Sequence, residues 1–332
     1  TQRISEMANS IVAITKLADP IGELLAKTTR PTGLQIEQSR VPLGVVGVIY
    51  EARPNVTMEV WSLCFKTGNA VVLKGGSDAY RTNQVLVRII QTVLRQHRLP
   101  VASVLLLDPK NRTITTALLQ ARQYVDIVIP RGSERLIQFV RETATVPVIE
   151  TGAGVCHTFI EKTADLKLAA SVVTNAKVRR CTVCNALDCL VVERSILKPL
   201  LNKLAPLLQK HQVEIRADQP SFTILKQLYP KELLKRASAN DYGKEFLSLR
   251  LAIKTVPSAQ AGITFVQAHT SGHSEAIITK NKKLADQFQR VIDAAAVYVN
   301  TSTAFTDGFE FGLGAEVGIA TQKLDARGPM GL

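Results

Sequence analysis

The chain has 332 residues, of which 46% are hydrophobic and 5% aromatic, with a formal net charge of +13 at pH 7. That length favours two lobes over one, and the apolar content argues against global disorder. No apolar run approaches the ~18 residues of a membrane span, and nothing is flanked like a signal peptide, so a cytoplasmic protein without a membrane partner is expected.

The basic balance suits anionic partners: nucleic acid, an anionic membrane, or small phosphorylated and carboxylated ligands. It reads equally well as a basic surface that aids solubility. Nucleic acid is disfavoured, because aromatics are sparse and the basic residues are scattered over many helical segments. Five cysteines (Cys64, Cys156, Cys181, Cys184, Cys189) are too few for a disulfide framework in a chain this long and read as thiols of a reducing compartment.

The first helical pattern runs from Ile4 to Lys27, interrupted near Asp19–Pro20, where proline lacks the donor a helix needs. A rhythm follows in which short β-branched runs alternate with helical stretches. Strands are predicted at 45–50, 70–74, 104–107, 125–129 and 146–149, with helices at 56–66, 79–97, 112–122 and 133–142. The rhythm resumes with strands at 158–161, 186–192, 249–256, 276–279 and 295–300, and helices at 164–176, 196–210, 258–269 and 282–291. Unbroken apolar strands joined by helices imply parallel sheets covered on both faces. The lobe boundary is expected near 148–151, and the charged stretch 216–244 is the least regular. The glycine-rich segment 305–318 suits tight turns or close ligand approach, or merely a surface turn.

Neither G-x-G-x-x-G after a strand nor a P-loop is present, so the usual nucleotide fingerprints are missing. Two strand–glycine–helix turns occur instead: Val71–Asp78 (VVLKGGSD), with Lys74 closing the strand, and Ile129–Ser133 (IPRGS). Each offers free backbone N–H groups at the carboxyl end of a parallel strand, and two in one sheet suggest a dinucleotide. The strongest chemical candidate is Arg180–Ala186 (RCTVCNA), which follows Lys177 and Arg179. Neighbouring cations lower a thiol pKa, so Cys184 is a candidate nucleophile, with a buried free cysteine as the bland alternative. Cys181-x-x-Cys184 is also open to a redox pair or half a zinc site, although Cys156-His157 is the only other nearby donor cluster.

Two further residues, Asn55 and Glu150, have two readings each. Asn55, just past the first parallel strand, is either an oxyanion donor or a helix cap. Arg53 and Lys177 are candidate contacts to a substrate anion. Glu150 is a base or a solvated strand-end carboxylate.

Several stretches together resemble the aldehyde dehydrogenase superfamily, and within it the proline-biosynthesis branch, the glutamate-5-semialdehyde dehydrogenases (γ-glutamyl phosphate reductases). They are Val41–Asn55, Leu73–Ser77, Ile129–Ser133, Val183–Leu187, Ser271–Ala276, Phe311–Ile319 and Ala326–Gly331, which run in the family's order along essentially the whole chain. The resemblance implies an α/β fold of two parallel-sheet lobes with a small oligomerisation extension. The cofactor lobe would be 1–148 with oligomerisation strands at 33–44, and the catalytic lobe 149–300. Residues 301–332 would return to the cofactor lobe and form the start of a tail.

The implied reaction converts γ-glutamyl phosphate and NADPH into glutamate 5-semialdehyde, NADP and phosphate. Cys184 matches the nucleophile that forms a thioester, and Asn55 with the Cys184 backbone N–H matches the oxyanion donors. Lys74, Gly75, Ser77, Gly132 and Ser133 match the cofactor turns, and Glu245 resembles the glutamate that holds the nicotinamide ribose. An uncharged Ser77 where NAD-selective relatives often carry glutamate favours NADPH, although Asp78 stands next to it. Thr301, Ser302 and Thr303 are substrate candidates from the resemblance alone.

Two departures stand out. Relatives commonly show His and Asp where this chain has Glu150–Gly154, and many carry Arg where Ala304 stands. No metal is implied. A homo-oligomer is implied, with an association with glutamate 5-kinase. The chain starts later and stops sooner, at Leu332, than the family's usual ends, so weakened assembly or activity is expected. The competing readings are a hydrolytic aldehyde dehydrogenase and a non-catalytic α/β protein that binds phosphorylated metabolites.

Overall fold

A computed structural model of the chain describes residues 2–51 and 54–323. They divide into two compact units: residues up to Thr151 with Gly312–Gly318, and Gly152–Phe311 with the residues from Ile319 onward. Within 301–323, Gly312–Gly318 belong to the first unit. No helix among the described residues is long and apolar enough to cross a membrane.

The first unit begins with α1 (Gln2–Thr15), followed by an antiparallel hairpin of β1 (Leu24–Thr29) and β2 (Gln35–Ser39). The helix expected to reach Lys27 therefore ends at Thr15. Proline at position 20 cannot donate and pushes the preceding residue toward extended backbone. The Asp19 side chain accepts from the Ile21 amide (3.0 Å), and Gly22 turns the chain at φ 76°. Every residue of both hairpin strands is exposed, and Lys27 pairs with Glu37 across them at 2.6 Å.

Next come β3 (Val45–Tyr50), α2 (Pro54–Lys66), β4 (Ala70–Lys74), α3 (Tyr80–Gln96), β5 (Val104–Leu106), α4 (Arg112–Gln120), β6 (Ile127–Arg131) and α5 (Glu134–Thr143). The strands form a parallel sheet in the order β5-β4-β3-β6. Side chains alternate across a strand, so Val46, Val48 and Tyr50 enter one core while Ile49 enters the other. The strand expected at 146–149 is reduced to a single bridge, Val128 to Val148. Pro147, which has no N–H, interrupts that ladder.

The second unit holds β7 (Cys156–Ile160), α6 (Leu166–Val178), β8 (Leu187–Glu193), α7 (Leu197–Lys210), β9 (Glu214–Ala217), α8 (Gln219–Leu225) and β10 (Leu234–Arg236). After these come β11 (Arg250–Val256), α9 (Ala259–His269), β12 (Ser274–Ile278), α10 (Lys282–Val291) and β13 (Ala296–Val299). All are parallel, in the order β10-β9-β11-β8-β7-β12-β13. Every residue of β7, β8 and β12 is buried, because helices cover both faces. Leu190 and Val192 pack in one core; Cys189 and Val191 pack in the other.

Such burial forces polar side chains to pair. His157 on β7 is fully buried, with Nδ1 3.1 Å from Glu275 on β12 and Nε2 3.2 Å from the Tyr242 carbonyl. A carboxylate and a carbonyl both accept, so this pairing favours the protonated imidazole, in which both ring nitrogens donate. Burial pulls its pKa down, but the charge and hydrogen bond of Glu275 outweigh that and raise it. Replacing Glu275 with Gln removes the charge that favours the imidazolium and breaks a buried pair, so a loss of about 3 kcal/mol is expected in urea unfolding.

Candidate active site

The loop bearing Cys184 lies between α6 and β8. Asp165 caps α6 by accepting from the amides of Lys167 (2.8 Å) and Leu168 (3.0 Å). After Val178 the chain leaves the helix, and the loop is pinned through polar contacts. Arg179 donates to the Ala304 carbonyl (3.0 Å), Asn185 to the Thr306 carbonyl (3.0 Å), and Thr303 to the Asn185 carbonyl (2.8 Å). Behind the cysteine, Gly154 lies so close that a Cβ there would sit 1.9 Å from the Cys184 carbonyl oxygen. That oxygen also accepts from the Cys156 thiol at 3.2 Å. The Gly154 segment is fixed in turn, since its amide donates to Glu245 (3.0 Å) and the Val155 amide to Ser271 (2.9 Å).

The five cysteines are now distinguishable. Cys64, Cys156 and Cys189 are buried, whereas Cys181 and Cys184 are only partly so. Burial pushes the Cys64 thiol up to about 12 and those of Cys156 and Cys189 well above the ordinary value. A thiol held protonated is a poor nucleophile, so reactivity narrows to the Cys184 loop. His157, which the sequence placed beside Cys156 as a metal donor, has both ring nitrogens committed to Glu275 and Tyr242.

Another histidine lies behind the loop. His273 is 1% exposed, with Nδ1 2.8 Å from Ser274 Oγ and 3.9 Å from the Cys156 sulfur. Burial draws its pKa down to about 4. A proton therefore binds the unfolded chain, with its ordinary pKa of 6.5, more readily than the folded one. This contribution to stability is present above pH ~6.5 and is lost as pH falls toward ~4, by roughly 3 kcal/mol. Unfolding free energies at pH 7 and pH 4.5 should differ less in His273→Gln than in the unmodified chain. Equal slopes would refute the assignment.

Lys177 does not stand where the sequence suggested. It is fully buried, donates to the Leu187 carbonyl at 2.7 Å and lies 3.5 Å from Asp188. Its ammonium is committed to the interior, so it is withdrawn as a substrate-anion contact. Among the other substrate candidates, Thr301 donates to the Val299 carbonyl and Ser302 accepts from the Ala304 amide. Ser302 and Thr303 are buried. Arg53 lies outside the described residues, as does the stretch 326–331.

In the first unit the cofactor candidates gather at one edge. Three turns leave the carboxyl ends of adjacent parallel strands: Glu51 after β3, Gly75–Ser77 after β4, and Gly132–Ser133 after β6. Lys74 closes β4, and burial lowers its pKa. A Cβ on Gly75 would meet the Asn83 amide at 2.4 Å and the Tyr50 ring at 3.1 Å. One on Gly132 would meet the Glu51 carboxyl at 2.8 Å. Ser133 donates to Glu51 through both its amide (3.1 Å) and its hydroxyl (2.8 Å). Ser77 donates to Asp78 at 3.3 Å, and both are exposed.

Asn55 sits inside α2, not at its cap, exposed and 3.3 Å from Glu59. Glu150 accepts from Arg141 Nε with both oxygens at 3.1 Å, an ion pair that raises the Arg141 pKa and disfavours a base role for the carboxylate. The sequence does not single out Glu51, Gly154, Ser271 or His273, although each lies in or beside a motif stretch. The signal for Gly154 was glycine itself, in a segment leading into a fully buried strand.

A family model described as "Aldehyde dehydrogenase family" matches residues 1–223. A γ-glutamyl phosphate reductase from Phocaeicola vulgatus is 50% identical over all of this chain and 79% of its own length. One from Legionella pneumophila is also 50% identical, with the same coverage. The crystal structure of a γ-glutamyl phosphate reductase from Thermotoga maritima superposes with a TM-score of 0.92 at 43% identity, covering 99% of this chain and 78% of that one. With the Cys184 loop and the sheet-edge turns in the family's order, the chain belongs to the aldehyde dehydrogenase family and, within it, to the γ-glutamyl phosphate reductases.

Proposed function

We propose that this chain reduces γ-glutamyl phosphate to glutamate 5-semialdehyde with release of phosphate, using Cys184 as nucleophile and NADPH as reductant. The observation that carries the reading is a partly exposed cysteine on a loop pinned by its Arg179 and Asn185 side chains and its backbone carbonyls, in a chain half identical to reductases of that name. The Cys184 thiolate attacks the acyl carbon, the C–O bond to phosphate breaks, and a thioester remains. NADPH, when bound, would supply the hydride that reduces the thioester carbonyl. The resulting thiohemiacetal collapses as its C–S bond breaks, which frees the aldehyde and regenerates the thiolate. Each tetrahedral stage carries an oxyanion, for which the Cys184 amide and Asn55 are the proposed donors.

The sheet-edge turns suit a dinucleotide. Gly75 and Gly132 have no room for a Cβ, so the backbone there is bare, and Lys74 offers an ammonium beside it. Lys74, Gly75, Ser77, Gly132 and Ser133 would hold the cofactor, with Glu245 on its ribose. The uncharged Ser77 favours NADPH, and its bond to Asp78 keeps a carboxylate nearby, so some use of NADH is expected. Thr301, Ser302, Thr303 and Arg53 remain the proposed substrate-side residues. Glu150, held by Arg141, is proposed only as an anchor, because hydride transfer leaves no thioester to hydrolyse.

The exposed hairpin, with Leu25, Leu34 and Ile36 at its surface, is the proposed contact with further copies of the chain. An acyl phosphate is labile, which favours supply by an associated glutamate 5-kinase. Five cysteines, none in a disulfide among the described residues, fit a reducing cytoplasm.

The test is the reverse assay, with glutamate semialdehyde and NADP. Oxidation should require inorganic phosphate and run faster with NADP than with NAD. Oxidation that proceeds equally without phosphate would instead support a hydrolytic aldehyde dehydrogenase.

A further inference from the structure

Lys177 and Asp188 form a charged pair inside the second unit that the reaction as described does not use. Lys177 occupies the last turn of α6, and its ammonium donates to the Leu187 carbonyl, ten positions on, at the start of β8. Asp188 lies 3.5 Å from that ammonium and accepts from the Phe246 amide at 3.1 Å. The loop carrying Cys184 therefore has its two ends tied together by one side chain. The tie continues outward: Glu245, next to Phe246, accepts from the Gly154 amide, and Gly154 abuts the Cys184 carbonyl.

Stability alone does not account for this arrangement. Burial depresses the Lys177 pKa and raises that of Asp188, so each charge is disfavoured where it sits. Apolar side chains of similar volume commonly stabilise a protein at least as well as a buried ion pair. What they cannot supply is direction, meaning a bond from the helix end to one chosen carbonyl. We infer that Lys177 and Asp188 are positioning residues that set the geometry of the Cys184 loop and link it to the Glu245 segment. Their effect on turnover rests on Cys184 being the nucleophile; their effect on the loop does not.

The experiment compares the unmodified chain with Lys177→Arg, Asp188→Glu and the double variant Lys177→Met/Asp188→Leu. Three quantities are measured: thermal unfolding, kcat and KM in the phosphate-dependent assay, and the iodoacetamide rate at Cys184 mapped by mass spectrometry. The double variant should fold with a Tm near that of the unmodified chain yet lose about 100-fold in kcat, as misplacement of a reacting group by an ångström does. Its Cys184 alkylation rate should change by about 10-fold or more, with KM for NADP moved much less. Lys177→Arg, which keeps a donor, should recover most of kcat.

A folded double variant with unaltered kcat and alkylation rate would overturn the inference. So would one that cannot fold, because stability would then explain the pair. If the unmodified chain fails to oxidise the semialdehyde at all, the proposed reaction falls, while the alkylation comparison still decides the role of the pair.

Discussion

Cys184→Ala loses phosphate-dependent turnover by about 10⁴-fold or more while binding NADPH within about 3-fold of the unmodified chain, as expected when a nucleophile that acts as one unit with its surroundings is removed. A loss of that size corresponds to about 5 kcal/mol of transition-state stabilisation. It falls almost wholly on the chemical step, because the thiol forms the bond to the acyl carbon and is not among the residues proposed to hold the cofactor. Steady-state kinetics with a fluorescence titration of NADPH checks both halves. Cys181→Ala, which removes the other partly exposed thiol, should cost far less. Equal turnover in Cys184→Ala and the unmodified chain would end the proposal.

Gly154→Ala is the second large effect, although it adds only a methyl group. The three atoms that methyl would meet are the oxygen (1.9 Å), carbonyl carbon (2.6 Å) and Cα (2.7 Å) of Cys184, all backbone. A side chain could rotate away, but a peptide cannot, so either the Cys184 loop or the segment before β7 must move. Overpacking of this kind costs about 1–3 kcal/mol in stability. Displacement of the nucleophile adds a loss of about 100-fold in kcat. Urea unfolding and the reverse assay measure the two losses separately. A Gly154→Ala protein with unaltered kcat would show that the close contact with Cys184 has no bearing on the chemistry.

The legible parts of the fold were those where local pattern and burial agree. Val45–Tyr50 and Cys189–Val192 are unbroken apolar runs because both faces of their sheets are covered, and the residue pattern alone reveals that. Leu24–Lys27 reads as helix in the sequence but is strand, because its residues are exposed throughout and no buried face imposes a period. Val146–Ile149 has the composition of a strand, but Pro147 removes the donor its ladder needs.

The candidate site divides in the same way. A cysteine following basic residues, and glycines at strand ends, announce themselves by residue type. The role of Lys177 depended on facing. Ala169, Val173, Ala176 and Lys177 share one buried face of α6 at helical spacing, so the period already pointed the lysine inward, against the electrostatic reading. The contacts of Cys156, Glu51 and Ser271 join residues 28, 82 and 116 positions apart, which no local pattern encodes.

The central claim is a γ-glutamyl thioester on one sulfur. Incubating the protein with glutamate semialdehyde and NADP, without phosphate, should halt the reverse reaction at that stage after about one turnover per site. Peptide mass spectrometry should then place the acyl group on Cys184, and added phosphate should release it. Acylation of Cys181 or another cysteine instead, or sustained turnover with no adduct on Cys184, would contradict the account.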